Sequence, residues 1–285
     1  MSAAVWCVDL GLKALLIERS SDLGGQLLWT HNPITNYLGN EAPNGVELAT
    51  KFADQVRGSG VEIITRQVSA VDLSSKVVTI DRQDHSADAI VIATGVRRRK
   101  LGVPGEDEFA GRGILASGSR DRELTKDKTV VIVGGGDAAL ENASILSDHA
   151  RKVVLIHRRG DFSGRPEFIE KAQDRGNVEF ILDSTVTAIE GADRVERVFI
   201  RSNTGDHRAL ACEAVLVRIG VEPNTSLFSG KVGFDDRGYV LVDKEFRTTV
   251  DGFWAIGDVT GETAMTIANA VGSGSVAAKN IAARR

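Results

Sequence analysis

The chain has 285 residues, 42% of them hydrophobic, and a formal net charge of −4. That length suffices for two domains with cores of their own, and the near-balanced charge gives no footing for nucleic acid. Aromatic residues, at 5%, are too sparse for a base-stacking surface, two cysteines make no disulfide framework, and no apolar run reaches the ~18 residues of a membrane span.

In chain order, residues 2–10 read as a helix and residues 13–18, Lys-Ala-Leu-Leu-Ile-Glu, as a buried parallel strand. A strand that closes on an acid is the second strand of a dinucleotide-binding βαβ unit, where the Glu18 carboxylate takes ribose hydroxyls. The first strand and its Gly-x-Gly-x-x-Gly turn belong ahead of that helix, so the chain begins inside the motif. Two explanations stand. One, which we prefer, is a sequence lacking about 15 upstream residues, the usual length of a strand plus turn; the other is a natural variant with a weakened nucleotide site. The apolar start is broken by Asp9 and Lys13 and has no basic leader, which speaks against a signal peptide. A glycine turn follows at Leu23-Gly24-Gly25-Gln26-Leu27, and then the segment Asn36-Tyr37-Leu38-Gly39. Residues 45–58 place Leu48, Phe52 and Val56 on one helical face. Residues 61–65 are a short strand, 68–73 and 76–81 a hairpin around Ser74-Ser75, and 88–95 a buried strand that ends in Ala93-Thr94-Gly95.

A second, complete βαβ unit comes next: strand 129–133, the turn Gly134-Gly135-Gly136, helix 137–148 and strand 152–156. Gly134 permits the turn, Gly136 lets the backbone approach a pyrophosphate, and Ala139 packs the helix onto the sheet. Gly135, Asp137 and Ala138 complete a helix N-terminus that faces the phosphates. The next strand ends in His157-Arg158-Arg159 where an NAD site carries a carboxylate. Guanidinium groups bind a 2′-phosphate bidentately, so the cofactor expected here is NADPH, with Arg165 a further contact. Strands at 178–182, 195–201 and 213–219 follow; then strands 239–242 and 253–256, the turn Gly257-Asp258 and a helix over 266–283. Repeated dinucleotide signals fit an α/β fold of two Rossmann-like domains, the NADP domain (104–221) inserted into the other (1–103 and 222–285).

With its motifs in this order, the chain resembles the low-molecular-weight thioredoxin reductases within the pyridine nucleotide-disulphide oxidoreductases. The resemblance implies FAD in the outer domain, with Glu18, Gly24, Gly25, Gln26, Asn36, Ala93, Thr94, Gly95, Gly257 and Asp258 on the flavin side. It implies that the last helix, which starts near Met265-Thr266-Ile267, aims its N-terminus at the isoalloxazine; the family has Arg-Gln-Ala there. It adds Ile219 and Gly220 to the NADP site, and a homodimer. It also implies domain rotation, for which residues 102–113 and 220–224 are candidate hinges.

The resemblance breaks at residues 117–121. Thioredoxin reductases carry Cys-x-x-Cys-Asp there; this chain has Ser117-Gly118-Ser119-Arg120-Asp121. A serine hydroxyl forms no mixed disulfide. Ser117, Arg120 and Asp121 are therefore candidate catalytic residues in altered roles, or a relic loop closed by an Asp121–Arg pair. Cys7 and Cys212 read as inert buried residues and suit a reducing cytoplasm. His85, His149 and His207 form no ligand cluster, and no metal site is expected. The basic run Arg97-Arg98-Arg99-Lys100 is either a solvated face or a docking patch for an acidic carrier. The expected function is an FAD-dependent enzyme that passes hydride from NADPH to flavin. From there electrons go, without a cysteine pair, to an unidentified small-molecule or small-protein acceptor, a carrier of ferredoxin or flavodoxin type being one candidate. The alternatives are a thioredoxin or disulfide reductase homologue and a non-catalytic NADP-binding protein.

Overall fold

Two segments, residues 1–97 and 222–285, gather into one unit, and residues 98–221 form another. The computed structural model describes residues 1–261 and 265–284.

The first unit opens on α1 (Ser2–Asp9), β1 (Leu15–Glu18), α2 (Gly45–Gly58) and β2 (Glu62–Thr65). Asn44 caps α2 by accepting from the Glu47 amide, and Leu48, Ala49, Ala53 and Val56 bury its apolar face. A three-stranded antiparallel meander follows: β3 (Val68–Asp72), β4 (Val77–Ile80) and β5 (Gln83–Ser86). Two strands had been expected. The third, Gln-Asp-His-Ser, is almost wholly polar and gives no alternation signal, and the cross-strand hydrogen bond from Thr79 to Asp84 helps hold it. Then come β6 (Ile90–Ile92) and β7 (Val96–Arg98).

The second unit is built on β8 (Ile114–Leu115), α3 (Gly118–Asp121), β9 (Thr129–Gly134), α4 (Asp137–Ser147), β10 (Lys152–Ile156), α5 (Pro166–Gln173) and β11 (Val178–Ile181). An antiparallel sheet of β12 (Ser184–Glu190), β13 (Arg197–Ser202) and β14 (His207–Ala211) precedes β15 (Ala214–Arg218). The parallel sheet runs β11-β10-β9-β15-β8. Its central strands β9, β10 and β15 are largely buried, so they read as near-continuous runs of Val, Ile and Leu. Val131, Val133, Val154 and Ile156 meet the β12–β13 side chains Val186, Ile189, Val198 and Ile200. The alternate residues Val130, Ile132, Val153 and Leu155 meet Leu140, Ala143 and Leu146 of α4. Each such fully buried side chain contributes about 1.5–3 kcal/mol.

The chain then leaves through β16 (Val221–Pro223) and completes the first unit with β17 (Phe253–Ala255) and α6 (Ile267–Ala282). In that unit the parallel strands form two pairs, β1 with β2 and β17 with β6. Helix α1 seats on α6 closely enough that a methyl group on Gly274 would lie 2.8 Å from the Ala3 amide nitrogen. Residues 239–242, expected as a strand, make only an isolated bridge, Phe234 to Val240. The Asp235 carboxylate captures the amides of Arg237 and Tyr239 and turns the chain there.

Candidate functional site

Every residue proposed for the phosphate turn of the second unit meets there. Strand β9 is buried from Val130 through Gly134, whose φ of +151° lies in glycine territory. A Cβ on Gly134 would stand 2.1 Å from the Arg218 carbonyl oxygen, and one on Gly135 2.3 Å from the His157 ring. Gly136 instead has only Ser163 Oγ near its open side, at 3.8 Å. It begins α4 with no side-chain cap, which leaves the first-turn amides of Asp137 and Ala138 for a ligand. The loop after β10 folds back over the turn: Ser163 and Gly164 both donate their amides to the Gly135 carbonyl.

His157 follows β10 directly, its ring buried at 8% exposure and stacked on Phe162. Its Nε2 is a buried polar atom with no hydrogen-bond partner. Burial lowers its pKa first, and Arg159 and Arg158 push the same way against an opposing backbone hydrogen bond at Asp161. Arg158 and Arg159 are exposed. Arg165 is held by Asp137 and Phe168. Its amide and Nε donate to Asp137 at 2.7 and 2.8 Å, and its guanidinium lies over Phe168. Ile219 is half-buried and Gly220, exposed, accepts from the Arg99 amide.

In the first unit, Gln26 Nε2 donates to Asp258 Oδ2 at 2.6 Å, a contact across 232 positions of sequence. Gly95 lies beside that amide, since a Cβ there would be 3.6 Å from Gln26 Nε2. Burial pushes the Asp258 carboxyl up against the opposing Gln26 hydrogen bond. The Gly257 amide is satisfied by Ser273 Oγ, and Thr266 caps α6 by accepting from the Asn269 amide. Thr94 and Asn224 exchange hydrogen bonds with each other's backbone. Glu18 accepts from the Ser20 amide. Gly24 precedes the short 3-10 helix Gly25–Trp29, and a Cβ on Gly24 would press within 2.8 Å of Ala49. Asn36 and Ala93 are exposed on their loops, Met265 is half-buried, and Ile267 packs against the cluster of Ile34, Ala42 and Leu48. Asn224 and Ser273 escaped the sequence reading because neither sits in a local motif.

At residues 116–121 the structure shows a closed turn. The Ala116 and Ser117 amides donate to Asp121 Oδ2 at 2.8 and 3.0 Å, and Arg120 Nε donates to Oδ1 at 2.6 Å. Burial raises the Asp121 pKa, but these hydrogen bonds outweigh it and hold the carboxyl below its ordinary range. The Ser117 hydroxyl, buried, accepts from the Arg120 amide as the cap of α3. Arg98 and Arg218, both outside the predicted site, donate to the Ala116 carbonyl oxygen. Cys7 and Cys212 are buried and free, one in each unit. Burial raises both thiols, Cys212 to about 12 with help from Glu213. No cluster of three or more metal-ligating side chains occurs among the described residues, and no helix among them is long and apolar enough to cross a membrane.

Comparison with known proteins places this geometry in context. The pyridine nucleotide-disulphide oxidoreductase family matches residues 1–274. The chain is 35% identical to a thioredoxin reductase of Mycolicibacterium smegmatis over 281 residues, 97% of this chain and 90% of that protein. It is 34% identical to one of Rickettsia prowazekii over 291 residues, 99% of this chain and 93% of that protein. In three dimensions it is similar to Lactococcus lactis thioredoxin reductase, with a TM-score of 0.87 at 30% identity, covering 99% of this chain and 94% of that one. A bacillithiol disulfide reductase of Staphylococcus aureus shares the fold at a TM-score of 0.81 and 18% identity, covering 100% of this chain and 95% of that one.

Proposed function

Because the chain belongs to the pyridine nucleotide-disulphide oxidoreductase family, on its thioredoxin-reductase-like side, we propose that it uses NADPH to reduce the disulfide of a small acceptor. The observation that carries this reading is the length of the likeness: thioredoxin reductases match 97% of the chain. The family uses FAD and NADPH, and this chain is an oxidoreductase of that kind. The expectation of a ferredoxin-type acceptor finds less support, since the relatives named above are disulfide reductases.

The residues present suit both cofactors. The orphaned, buried His157 Nε2, the open side of Gly136 and the exposed Arg158 and Arg159 suit NADPH. The half-buried Asp258–Gln26 pair beside Gly95 suits the ribityl–phosphate part of FAD. We therefore assign FAD to residues 1–97 and 222–285, and NADPH to residues 98–221. When bound, the nicotinamide supplies hydride and the flavin relays two electrons, in the net reaction NADPH + H⁺ + RSSR → NADP⁺ + 2 RSH. The chain's own residues bind and orient. The α4 amides take the pyrophosphate, and Arg158 and Arg159 the 2′-phosphate. Asp121 is a carboxylate at neutral pH and fixes Arg120 and the 116–121 turn. Ser117 serves as a helix cap. The thiols of Cys7 and Cys212 take no part, being buried and protonated, so the disulfide that is reduced belongs to the acceptor. The favoured setting is a reducing cytoplasm, and the favoured assembly a homodimer.

The test is NADPH oxidation by the FAD-loaded protein with oxidised thioredoxin, a small disulfide, ferredoxin and an artificial acceptor in parallel. Two thiols formed per NADPH with a disulfide acceptor is the expected result. Turnover with ferredoxin or the artificial acceptor alone would favour the direct-transfer reading, which the absence of sulfur at Ser117 and Arg120 recommends as second.

A further inference from the structure

The loop after β10 crosses the start of α4 and is tied there residue by residue. The Ser163 and Gly164 amides donate to the Gly135 carbonyl oxygen at 2.9 and 3.2 Å, and the Ser163 hydroxyl donates to the same oxygen at 3.3 Å. Gly164 passes so close that a Cβ there would stand 2.4 Å from Leu140 Cδ1 and 3.2 Å from the Asp137 amide nitrogen. Asp137, the first residue of α4, closes the crossing: one carboxylate oxygen accepts from the Arg165 amide at 2.7 Å, the other from Arg165 Nε at 2.8 Å. The Arg165 amide foremost, with its side chain adding, holds the Asp137 carboxyl below its ordinary range against desolvation, so the pair is ionised at neutral pH. An exposed ion pair alone contributes little. Here the backbone amide joins it, Arg165 Nη1 also pairs with Glu167 at 3.3 Å, and the guanidinium lies 4.5 Å from the Phe168 ring centre. The Arg165 charge is thus matched by two carboxylates of the chain itself.

What the loop brings to the turn is Ser163. Its Oγ stands beside the open side of Gly136, 3.8 Å from where a Cβ would be, and Gly136 leads directly into the α4 amides assigned to the pyrophosphate. Ser163 is exposed, and a hydroxyl rotates freely from one acceptor to another. A second sign that this turn is built for a ligand is His157, more than nine-tenths buried against Gly135 with Nε2 unpartnered. Arg159 is anchored independently, since its carbonyl accepts from the Asp183 amide.

We propose that Asp137 and Arg165 are positioning residues that latch this loop across α4, and that the contact the loop supplies is a hydrogen bond from the Ser163 hydroxyl to the nucleotide pyrophosphate. This role rests on the nucleotide assignment made above for residues 98–221, and it differs from the 2′-phosphate contact expected of Arg165 from the sequence. The pyrophosphate is common to NADP⁺ and NAD⁺, whereas the 2′-phosphate belongs to NADP⁺ alone, so affinity ratios separate the two roles.

The experiment is calorimetric binding of NADP⁺ and of NAD⁺ to the FAD-loaded full chain, with thermal midpoints to confirm folding. Ser163→Ala, Arg165→Gln and Asp137→Ala should each weaken both nucleotides by about 3–10-fold, the net contribution of one hydrogen bond, and leave the ratio of the two affinities within about twofold. Ser163→Ala combined with Arg165→Gln should bind within about twofold of the weaker single variant, because both remove the same contact. Ser163→Thr keeps the hydroxyl and should bind within about twofold of the parent. Asp137→Ala decides by sign: loss of a carboxylate from the phosphate end of a helix would by charge alone tighten an anionic nucleotide, whereas loss of the latch weakens it. A loss confined to NADP⁺ in Arg165→Gln would return that residue to the 2′-phosphate and overturn the proposal. Tighter binding in Asp137→Ala, unchanged affinity in Ser163→Ala, a loss in Ser163→Thr equal to that in Ser163→Ala, or losses that multiply in the double variant would overturn it too. If Asp137→Ala does not fold, the variants of exposed Ser163 and Arg165 still decide. A parent protein that binds neither nucleotide would overturn the nucleotide assignment itself, an outcome distinct from failure of the latch alone.

Discussion

Asp258 and the arginines after β10 show how much single side chains decide here. Asp258 is pushed above its ordinary pKa by burial, against the Gln26 hydrogen bond. A raised folded-state pKa means that the native protein keeps a proton the unfolded chain has released, so this group's cost to stability grows as pH rises from the ordinary carboxyl value near 3.9 through the raised one. Asp258→Asn should therefore flatten that part of the pH–stability curve and, without flavin, leave the protein as stable as the parent or more so at neutral pH. FAD retention should fall in the same variant, an opposite sign that chemical denaturation and flavin absorbance would separate. Arg158 and Arg159 are exposed, so their substitution touches no core. Arg158→Gln with Arg159→Gln should raise KM for NADPH by about 10–100-fold and leave KM for NADH nearly unchanged, because only NADPH carries the phosphate. An equal loss for both nucleotides in steady-state kinetics would remove these residues from the phosphate site.

Among elements, the β9–turn–α4 segment is the most tightly determined. A methyl group on Gly135 would fall 2.3 Å from His157 Nδ1, and that ring is pinned by Phe162 and by its own burial. Gly135→Ala should cost about 1–3 kcal/mol in denaturant unfolding and abolish NADPH binding, since the ring must move into the turn's neighbours. Near-normal nucleotide affinity in this variant would show that the turn tolerates the methyl group. This segment was legible because its signals are local: a β-branched run, three glycines, an alanine-rich helix and a second apolar run. Helix α5 was missed although Pro166 at its start and Phe168, Ile169 and Ala172 at helical spacing mark it, because Gly160 and Gly164 just upstream read as loop. Strand β14 was missed for the reason that hid β5: exposed residues give a strand no alternation to read.

At the scale of the whole molecule, the outcome for sulfur is the plainest consequence of the fold. Cys7 lies in the first unit and Cys212 in the core of the second, each buried. A thiol reagent should find almost no reactive cysteine in the native protein and both after unfolding, and Cys7→Ser with Cys212→Ser should leave disulfide-linked NADPH oxidation within about twofold of the parent. Rapid native labelling, or loss of turnover with intact folding, would reopen a role for these thiols. The two-unit α/β character, the glycine turn between β9 and α4 and the want of a Cys-x-x-Cys were decided by residue order alone, because glycine conformation and sulfur chemistry act over a few neighbouring positions. Tertiary structure alone decided that Gln26 meets Asp258, that Asn224 locks Thr94, that Arg165 turns to Asp137, and that Arg98 and Arg218 reach Ala116. Most of those contacts join residues more than 100 positions apart. Which distant side chains touch is set by how buried strands and helices pack, and no local pattern in the chain encodes it.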